Sequence, residues 1–382
     1  MANNNKHTGP NVPALRFPEF SGEWESKSLG EIGESLIGLT YSPSDVVKEG
    51  GTIVFRSSNI QNGVMDYGDL VRVSKKIKDA IVTREGDLLI CARNGSTRLI
   101  GKNALLRKSD EGQTFGAFMM VFRSDDNRFV HQLLSTKAYS TQVSENLGAR
   151  INQITTRNFA EYTFNMPPIP EEKEKLGVFL ELINDRIETQ SKIIEEQETL
   201  LNSLADKMFL QNNFSSQLSE LVNIEKGKQL NADTLSETGD YYVMNGGITP
   251  SGYYSEYNVP AGAISISEGG NSCGYVQFNE KPFWSGGHCY SLQCRTNLVD
   301  YKYIYYYLKT KEADVMALRI GSGLPNIQKK DIEKFTITYP SLQLQKQFVK
   351  TLDALSGKIN TEKNLLEKYC QQKSYLLSKM FI

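Results

Sequence analysis

Two stretches of the chain carry hydrophobic residues at alternating steps of four and three, the 3.5-residue spacing of a coiled-coil seam. The first seam consists of Leu176, Leu180, Ile183, Ile187, Ile194, Leu201 and Leu204. The second consists of Phe348, Leu352, Leu355, Ile359, Leu366 and Leu376. Both seams are interrupted at matching positions, Gln190 with Glu362 and Gln197 with Tyr369. The pattern predicts two long helices that pair with each other; the alternative is that each helix folds back onto its own domain.

The two seams belong to a larger internal duplication. Three pairs of blocks match in the same order: 85–90 (EGDLLI) with 261–266 (AGAISI), 148–154 (GARINQI) with 321–327 (GSGLPNI), and 203–210 (SLADKMFL) with 375–382 (YLLSKMFI). The last pair is offset by 172 residues and the middle pair by 173. The chain is therefore predicted to be two copies of one unit, each a globular part followed by a helix.

The globular parts combine both kinds of secondary structure. Residues 52–55, 87–90 and 119–122 have the short apolar runs of strands, and 128–146 and 301–319 are helical in pattern. The predicted fold class is mixed α/β, with two globular domains in tandem repeat, separated and joined by the long helices. The predicted segments are a mobile or loosely attached lead-in (1–20), domain one (21–168), helix one (169–212), domain two (213–340) and helix two (341–382).

Composition narrows the function classes. The chain has 382 residues, 39% of them hydrophobic, and a formal net charge of −1. A packed core is therefore expected, and gripping nucleic acid by bulk positive charge is disfavoured, although local basic loops remain possible. No apolar stretch approaches the roughly 18 residues of a membrane span, so a soluble, cytoplasmic protein is expected. The five cysteines form no CxxC pair and are expected to be free thiols.

Catalytic and metal motifs are weak. Residues 165–168 (NMPP) faintly resemble an amino-methyltransferase motif, but the asparagine is not next to the prolines, and the better interpretation is a strand end entering a helix. No GxxxxGK[ST] phosphate loop occurs, which argues against an ATP motor. His288, Cys289 and Cys294 lack a fourth ligand at zinc spacing, so no metal site is expected.

Polar, glycine-rich loops that occur in both copies are the best candidates for a binding surface. In copy one the loop after the strand at 87–90 carries Arg93, Asn94, Ser96, Arg98 and Lys102, and its copy-two counterpart carries Glu268, Asn271 and Ser272. A second matching pair of loops carries Arg150, Asn152 and Gln153 in copy one and Asn326 in copy two, with Lys329 and Lys330 nearby.

Arg and Asn suit base edges in the DNA major groove, and Lys, Ser and backbone N–H groups suit phosphates. The copy-two loop contains a carboxylate and an amide but no cation, so the two copies are expected to read different bases. Any single residue of these loops is at least as well explained as a solvated turn. Only the set of loops, present in both copies, supports binding.

The ordered blocks of this sequence resemble the specificity subunits of Type I restriction–modification systems. The resemblance runs through nearly the whole chain and rests on 13–20 (PALRFPEF), Trp24, 29–32 (LGEI), 86–90 (GDLLI), 170–173 (PEEK), 245–247 (NGG), 250–253 (PSGY), 266–275 (ISEGGNSCGY) and 283–288 (FWSGGH). It adds Asn245 and His288 to the candidate DNA-binding residues. One departure is 341–345 (SLQLQ), which replaces the usual acidic start of helix two.

The resemblance implies a non-catalytic subunit in which each domain reads one half of a bipartite double-stranded DNA target. An antiparallel helix pair would fix the unread spacer between the halves. Two methyltransferase subunits using S-adenosylmethionine would assemble on it, as would restriction and translocase subunits that need ATP and Mg²⁺. No cofactor is expected in this chain.

Two other classes of function remain open. One is an assembly adaptor, a coiled-coil scaffold whose domains bind proteins, although an adaptor has no need for matched polar loops in both copies. The other is a complete DNA methyltransferase, which the missing cofactor and catalytic motifs disfavour.

Overall fold

The structure is a computed structural model that describes residues 11–147, 152–211, 213–321, 323 and 325–382. The chain divides into two compact units, Met1–Gln190 with Leu365–Ile382 and Ser191–Asn364. We call them unit one and unit two. Each unit therefore contains part of both long helices, whereas the segments predicted from the sequence keep the helices apart from the globular domains. The segment limits proposed from the sequence stay predictions.

Two helices of 39 residues dominate the secondary structure. The α-helices are α1 (Leu29–Ile32), α2 (Asn127–Leu133), α3 (Lys137–Leu147), α4 (Thr156–Glu161), α5 (Pro170–Met208), α6 (Leu218–Leu221), α7 (Tyr301–Thr310), α8 (Glu312–Ala317), α9 (Lys329–Glu333) and α10 (Leu342–Met380). Short 3-10 helices lie at Pro43–Asp45, Ser57–Asn59, Asp79–Ile81, Thr97–Leu99, Lys108–Asp110 and Ala232–Thr234. At 1.5 Å per residue, α5 and α10 are each about 58 Å long. Pro170 opens α5, where a proline loses no helical hydrogen bond.

The strands of unit one form small sheets. They are β1 (Glu25–Ser28), β2 (Glu34–Ile37), β3 (Val46–Val47), β4 (Thr52–Phe55), β5 (Ile60–Gln61), β6 (Val64–Met65), β7 (Val71–Val73), β8 (Leu88–Cys91), β9 (Asn103–Leu105), β10 (Thr114–Phe115), β11 (Met119–Arg123) and β12 (Thr163–Met166). The sheet orders are β2-β11-β8-β9, β10-β4-β7-β3, β1-β12 and β5-β6. Asn62 and Gly63 join β5 to β6 with positive φ at both positions, the geometry of a tight hairpin turn.

Unit two repeats this plan. Its strands are β13 (Phe214–Gln217), β14 (Val222–Lys226), β15 (Tyr241–Met244), β16 (Tyr253–Tyr254), β17 (Ala263–Ser267), β18 (Val276–Asn279), β19 (Trp284–Ser285), β20 (Cys289–Cys294) and β21 (Thr336–Tyr339). The order β14-β20-β17-β18 matches β2-β11-β8-β9, and β13-β21 matches β1-β12. A parallel pair also recurs, β10 with β4 and β19 with β15. The predicted duplication and mixed α/β class are confirmed.

The long helices run antiparallel within each unit. In unit one, Leu176 and Leu180 share a core with Leu376 and Met380 of the other helix. In unit two, the ammonium of Lys363 lies 2.6 Å from the carboxylate of Glu198. Every predicted seam position is buried or half-buried. The helices thus face each other along the seams and also pack on the globular parts, which combines the two arrangements considered from the sequence.

The expected loose lead-in is wrong for residues 11–20. The guanidinium of Arg16 is buried and donates to both carboxylate oxygens of Glu172 in α5, at 2.7 Å each. The indole N–H of Trp24 donates to the same carboxylate at 3.3 Å. The backbone N–H of Leu15 donates to the carbonyl of Lys379 at 2.9 Å. A buried bidentate ion pair needs both partners in place, so this segment is held against the helices.

Candidate nucleic-acid interface

In unit one, the two loops predicted to bind DNA lie side by side. The first follows β8, and the backbone N–H groups of Ala92 and Arg93 donate to the carbonyl of Phe118 at 3.0 and 2.9 Å. The N–H of Ile154 donates to the carbonyl of Ala92 at 2.8 Å, and Arg93 forms a β-bridge with Gln153. The matching blocks of the sequence thus converge at one end of the central sheet.

The side chains of this region differ in availability. The guanidinium of Arg93 lies over the exposed ring of Phe118, 5.1 Å from its centroid. The amide of Asn94 is engaged locally, since it donates to the hydroxyl of Ser57 at 3.1 Å and accepts from the N–H of Ser96 at 3.0 Å. Asn152 is exposed and Gln153 half-buried. Arg150 lies outside the described residues.

A cleft adjoins the same loop. Exposed Arg98 and half-buried Lys102 line it together with Asn62, and its volume is about 790 Å³. The phenolic hydroxyl of Tyr139 donates to the carbonyl of Gly101 at 3.1 Å, which fixes the loop against α3. These cations are open to solvent on one side and suit an anion such as a backbone phosphate.

Unit two brings together the corresponding loops with the same hydrogen bonds. The N–H of Glu268 donates to the carbonyl of His288 at 2.9 Å, and the N–H of Ile327 donates to the carbonyl of Glu268 at 2.8 Å. Gly269 forms a β-bridge with Asn326, as Arg93 does with Gln153. The side-chain oxygen of Asn245 accepts from the N–H of His288 at 3.3 Å, which adds a third loop.

A charged network fills the centre of this surface. Glu268 accepts from the ammonium of Lys226 at 2.5 Å and from the hydroxyl of Tyr290 at 3.1 Å. Its other oxygen, Oε2, lies 3.4 Å from Nδ1 of His288 and accepts no hydrogen bond from the described residues. The side chain of Glu268 is 8% exposed, whereas those of Lys226 and His288 are 52% and 61% exposed. Burial, and then the charge of Glu268, raise the pKa of Tyr290, so its hydroxyl stays a donor.

This geometry adds a cation to the copy-two loop, in which the sequence showed a carboxylate and an amide but no cation. Glu268 is buried, and Lys226 contacts it from β14. Sequence reasoning missed Lys226. The signal that could have identified it is its position at the end of a strand, directly before Gly227. Of the remaining predicted residues, Asn271 and Lys330 are exposed, Ser272 is half-buried, and the ammonium of Lys329 lies 3.6 Å from the carboxylate of Glu333.

His288, Cys289 and Cys294, for which no metal site is expected, lie at and beside one strand. Cys289 and Cys294 stand at opposite ends of β20, with Cys289 buried and Cys294 exposed. Among the residues that the structure describes, no cluster of three or more His, Cys, Asp or Glu is placed to hold a metal ion.

Residues 165–168 are the strand end predicted for them, since β12 ends at Met166 and α5 begins at Pro170. Within the described ranges, no helix offers the long apolar stretch that crossing a bilayer requires.

Comparisons with known proteins agree with this architecture. A family model described as "Type I restriction modification DNA specificity domain" matches residues 21–199 and again 212–368. A protein of Mycoplasma pneumoniae described as a type I specificity subunit is 31% identical over 166 residues, 43% of this chain and 44% of its own length. The EcoKI specificity subunit of Escherichia coli is 29% identical over 180 residues, 44% of this chain and 38% of its own length.

The chain spans about half the length of the curated relatives it matches. The crystal structure of the S subunit of a Type I restriction–modification system from M. genitalium superposes with a TM-score of 0.73. It is 20% identical, and the match covers 97% of this chain and 99% of that one. At this identity the likeness concerns the fold.

Proposed function

Because this chain belongs to the family of Type I restriction–modification DNA specificity domains, we propose that it is the sequence-reading subunit of such a system. Each unit reads one half of a bipartite target in double-stranded DNA, and the pair of long helices sets the spacer between the halves. The chain itself carries no catalytic centre in this proposal and works in the cytoplasm, where it meets its DNA.

One observation carries the proposal. Each unit places its polar loops at the equivalent end of its own four-stranded sheet, with equivalent backbone hydrogen bonds, yet the side chains there differ. A common scaffold with divergent exposed groups suits two half-sites of different sequence, because base edges differ in their donors and acceptors. Exposed Arg93, Arg98, Lys226 and His288 supply the donors for bases and phosphates.

The chemistry of modification and restriction is assigned to partners. We expect two methyltransferase subunits, which bring S-adenosylmethionine and flip the target adenine. We also expect restriction and translocase subunits, which bring ATP and Mg²⁺. A reader with net charge −1 has little bulk attraction for DNA, so these partners also supply part of the grip.

Methylation mapping tests the proposal. The chain is co-expressed with the methyltransferase subunit of its own system, and methylated adenines are located across the host genome by single-molecule sequencing. The expected result is one bipartite motif with a fixed spacer, absent when the chain is omitted. An unmodified genome despite an assembled complex would favour the adaptor, and methylation by this chain alone would favour a complete methyltransferase.

A further inference from the structure

Four positions beside the polar loops of each unit are structurally equivalent. Their side chains are apolar in unit one and charged or polar in unit two. The strand pairing defines the first two: Ile37 lies opposite Met120 in unit one, and Lys226 lies opposite Tyr290 in unit two. Gly38 and Gly227 follow directly, and a Cβ at either would lie within 2.3 Å of two carbonyl oxygens of the facing turn. The two strand ends are thus built alike.

Backbone hydrogen bonds define the other two positions. The carbonyl of Phe118 accepts from Ala92, whose own carbonyl accepts from Ile154. In unit two the carbonyl of His288 accepts from Glu268, whose carbonyl accepts from Ile327. Phe118 and His288 each stand two residues before the paired positions Met120 and Tyr290. The equivalent sets are therefore Ile37, Ala92, Phe118 and Met120 in unit one, and Lys226, Glu268, His288 and Tyr290 in unit two.

We call these the apolar set and the charged set. In each set the strand-end residue and the residue before the sheet strand are the exposed ones: Ile37 is 62% and Phe118 60% exposed, and the side chains of Lys226 and His288 are 52% and 61% exposed. The other two members are buried in both units. Unit one thus exposes two large hydrophobic side chains where unit two exposes two nitrogen-bearing ones.

The buried members of the charged set hold the exposed ones. Glu268 accepts from Lys226 at 2.5 Å and faces Nδ1 of His288 at 3.4 Å, and Tyr290 donates to the same carboxylate. The hydroxyl of Tyr290 also lies 3.1 Å from the carbonyl of Ile327, in the loop that closes the surface. A buried carboxylate with partners on several sides fixes the direction of each. In unit one, Ala92 and Met120 offer no such constraint.

On the basis of the proposed function, we propose that these four positions determine which base type each unit selects at one equivalent place of its half-site. The charged set selects guanine, whose major-groove edge presents the acceptors N7 and O6. The apolar set selects thymine, whose C5 methyl group is the apolar feature of that groove. Lys226 and His288 touch the base, and Glu268 is a positioning residue that acts through them.

Exchanging members of the sets tests this inference in the assembled complex. His288→Phe places the unit-one side chain at an exposed position of unit two, and Glu268→Gln removes the buried charge. Both variants are co-expressed with the methyltransferase subunit, and methylated adenines are mapped across the host genome. His288→Phe is expected to lower selection for guanine at one position of one half-site by about tenfold or more. The other half-site and the spacer are expected to stay unchanged.

Glu268→Gln is expected to relax the same position to a smaller extent. A merely structural role of Glu268 would lower the melting temperature and overall methylation without changing base preference, and that result would overturn its assignment. Lys281→Met, at an exposed lysine outside the set, is the matched control and is expected to leave the motif unchanged.

Unit one supplies an independent arm. Phe118→Ala is expected to relax a thymine position in the half-site that His288→Phe leaves alone. The inference is overturned if the complex with His288→Phe still methylates the motif of the unsubstituted chain at full level. It is also overturned if both half-sites change together. Failure of the proposed function has a different signature, because the unmodified chain would then give no bipartite motif at all.

Discussion

His131 is an ionisable residue enclosed in the core of unit one. It belongs to α2 and is 7% exposed. Burial, and then the positive charge of Lys373, lower its pKa to about 4. Between pH 4 and its ordinary value near 6.5, the unfolded chain therefore binds a proton that the folded unit does not. Unit one keeps the full stability of this arrangement above about pH 6.5 and loses it as the pH falls.

We therefore expect His131→Asn to flatten the pH dependence of unit one. In the unmodified chain, this histidine should lower the free energy of unfolding of unit one by roughly 1–2 kcal/mol between pH 6.5 and pH 5. Urea unfolding at both pH values, monitored by hydrogen exchange in β8 and β11, measures the difference in the free energy of unfolding of unit one. His288→Asn is the control, since that exposed residue lies in unit two. Equal pH dependence in His131→Asn and the unmodified chain would contradict the pKa argument.

At the residue scale, the sequence predicts where the candidate site lies better than how it works. Matching blocks identified the loop around Arg93 in unit one and the loop around Glu268 in unit two as counterparts, and each loop follows the equivalent strand of its own unit, β8 or β17. They did not show that Glu268 faces inward, since burial depends on neighbours distant in sequence. Lys226 was missed for the same reason: its distance from Glu268 is set by the pairing of β14 with β20 and of β20 with β17.

At the scale of elements, one phenylalanine near the end of each long helix packs into a globular core. Phe381 lies just beyond α10 and stacks on Phe129, with ring centroids 5.5 Å apart, and contacts Trp24 edge-on at 6.1 Å. Phe209, its equivalent after α5, contacts Tyr303 and Tyr307 edge-on at 5.2 and 5.3 Å. Each helix end is thus anchored by aromatic packing, and the anchors lie in different units.

This packing predicts that the two anchors can be lost separately. Phe381→Ala should destabilise unit one by about 3–5 kcal/mol, because it removes a buried ring and leaves a cavity. Phe209→Ala should destabilise unit two by a similar amount. Hydrogen exchange of β8 and of β17 reports each unit separately. Tyr375→Ala, at a residue of α10 that is 59% exposed, should change neither.

If Phe381→Ala and Phe209→Ala each accelerated exchange in both units alike, the helix ends would not anchor separate cores. The long helices themselves were predictable because a seam repeated over many turns leaves few alternatives, and the structure starts and ends them within four residues of the predicted limits. Strands of two residues, such as β5, β6 and β19, were not predicted. They depend on pairing with distant partners and carry too little local pattern to be recognised.

At the scale of the whole molecule, unit one is assembled from two segments that are far apart in the chain. Unit one requires Leu365–Ile382 in addition to Met1–Gln190. Its core includes Leu376, Met380 and Phe381, so the second half of α10 contributes to the packing of a unit whose other segment ends at Gln190. Unit two, in contrast, is formed from the continuous segment Ser191–Asn364. The duplication is symmetric in sequence, whereas the assembly of the units is not.

The proposed role of α5 and α10 in setting the spacer leads to a prediction about length. One inserted heptad preserves the phase of the seam and adds about 10.5 Å to a helix, the length of about three base pairs. DNA turns once in about 34–36 Å, so three base pairs rotate the second half-site by roughly 100°. Three heptads add about 31 Å, close to a full turn, and return both half-sites to nearly the same side of the duplex.

We therefore expect three heptads inserted in both helices to give an active complex whose spacer is longer by about nine base pairs, with both half-sites unchanged. The insertions belong between Arg186 and Glu198 in α5 and between Lys363 and Tyr369 in α10, inside the contacts that pair the helices. The complex with one heptad inserted in both helices should methylate DNA far less. Three heptads inserted in α5 alone should disrupt the pairing of the helices. Methylation mapping reads the spacer directly. An unchanged spacer in the active three-heptad variant would mean that the helices do not set it.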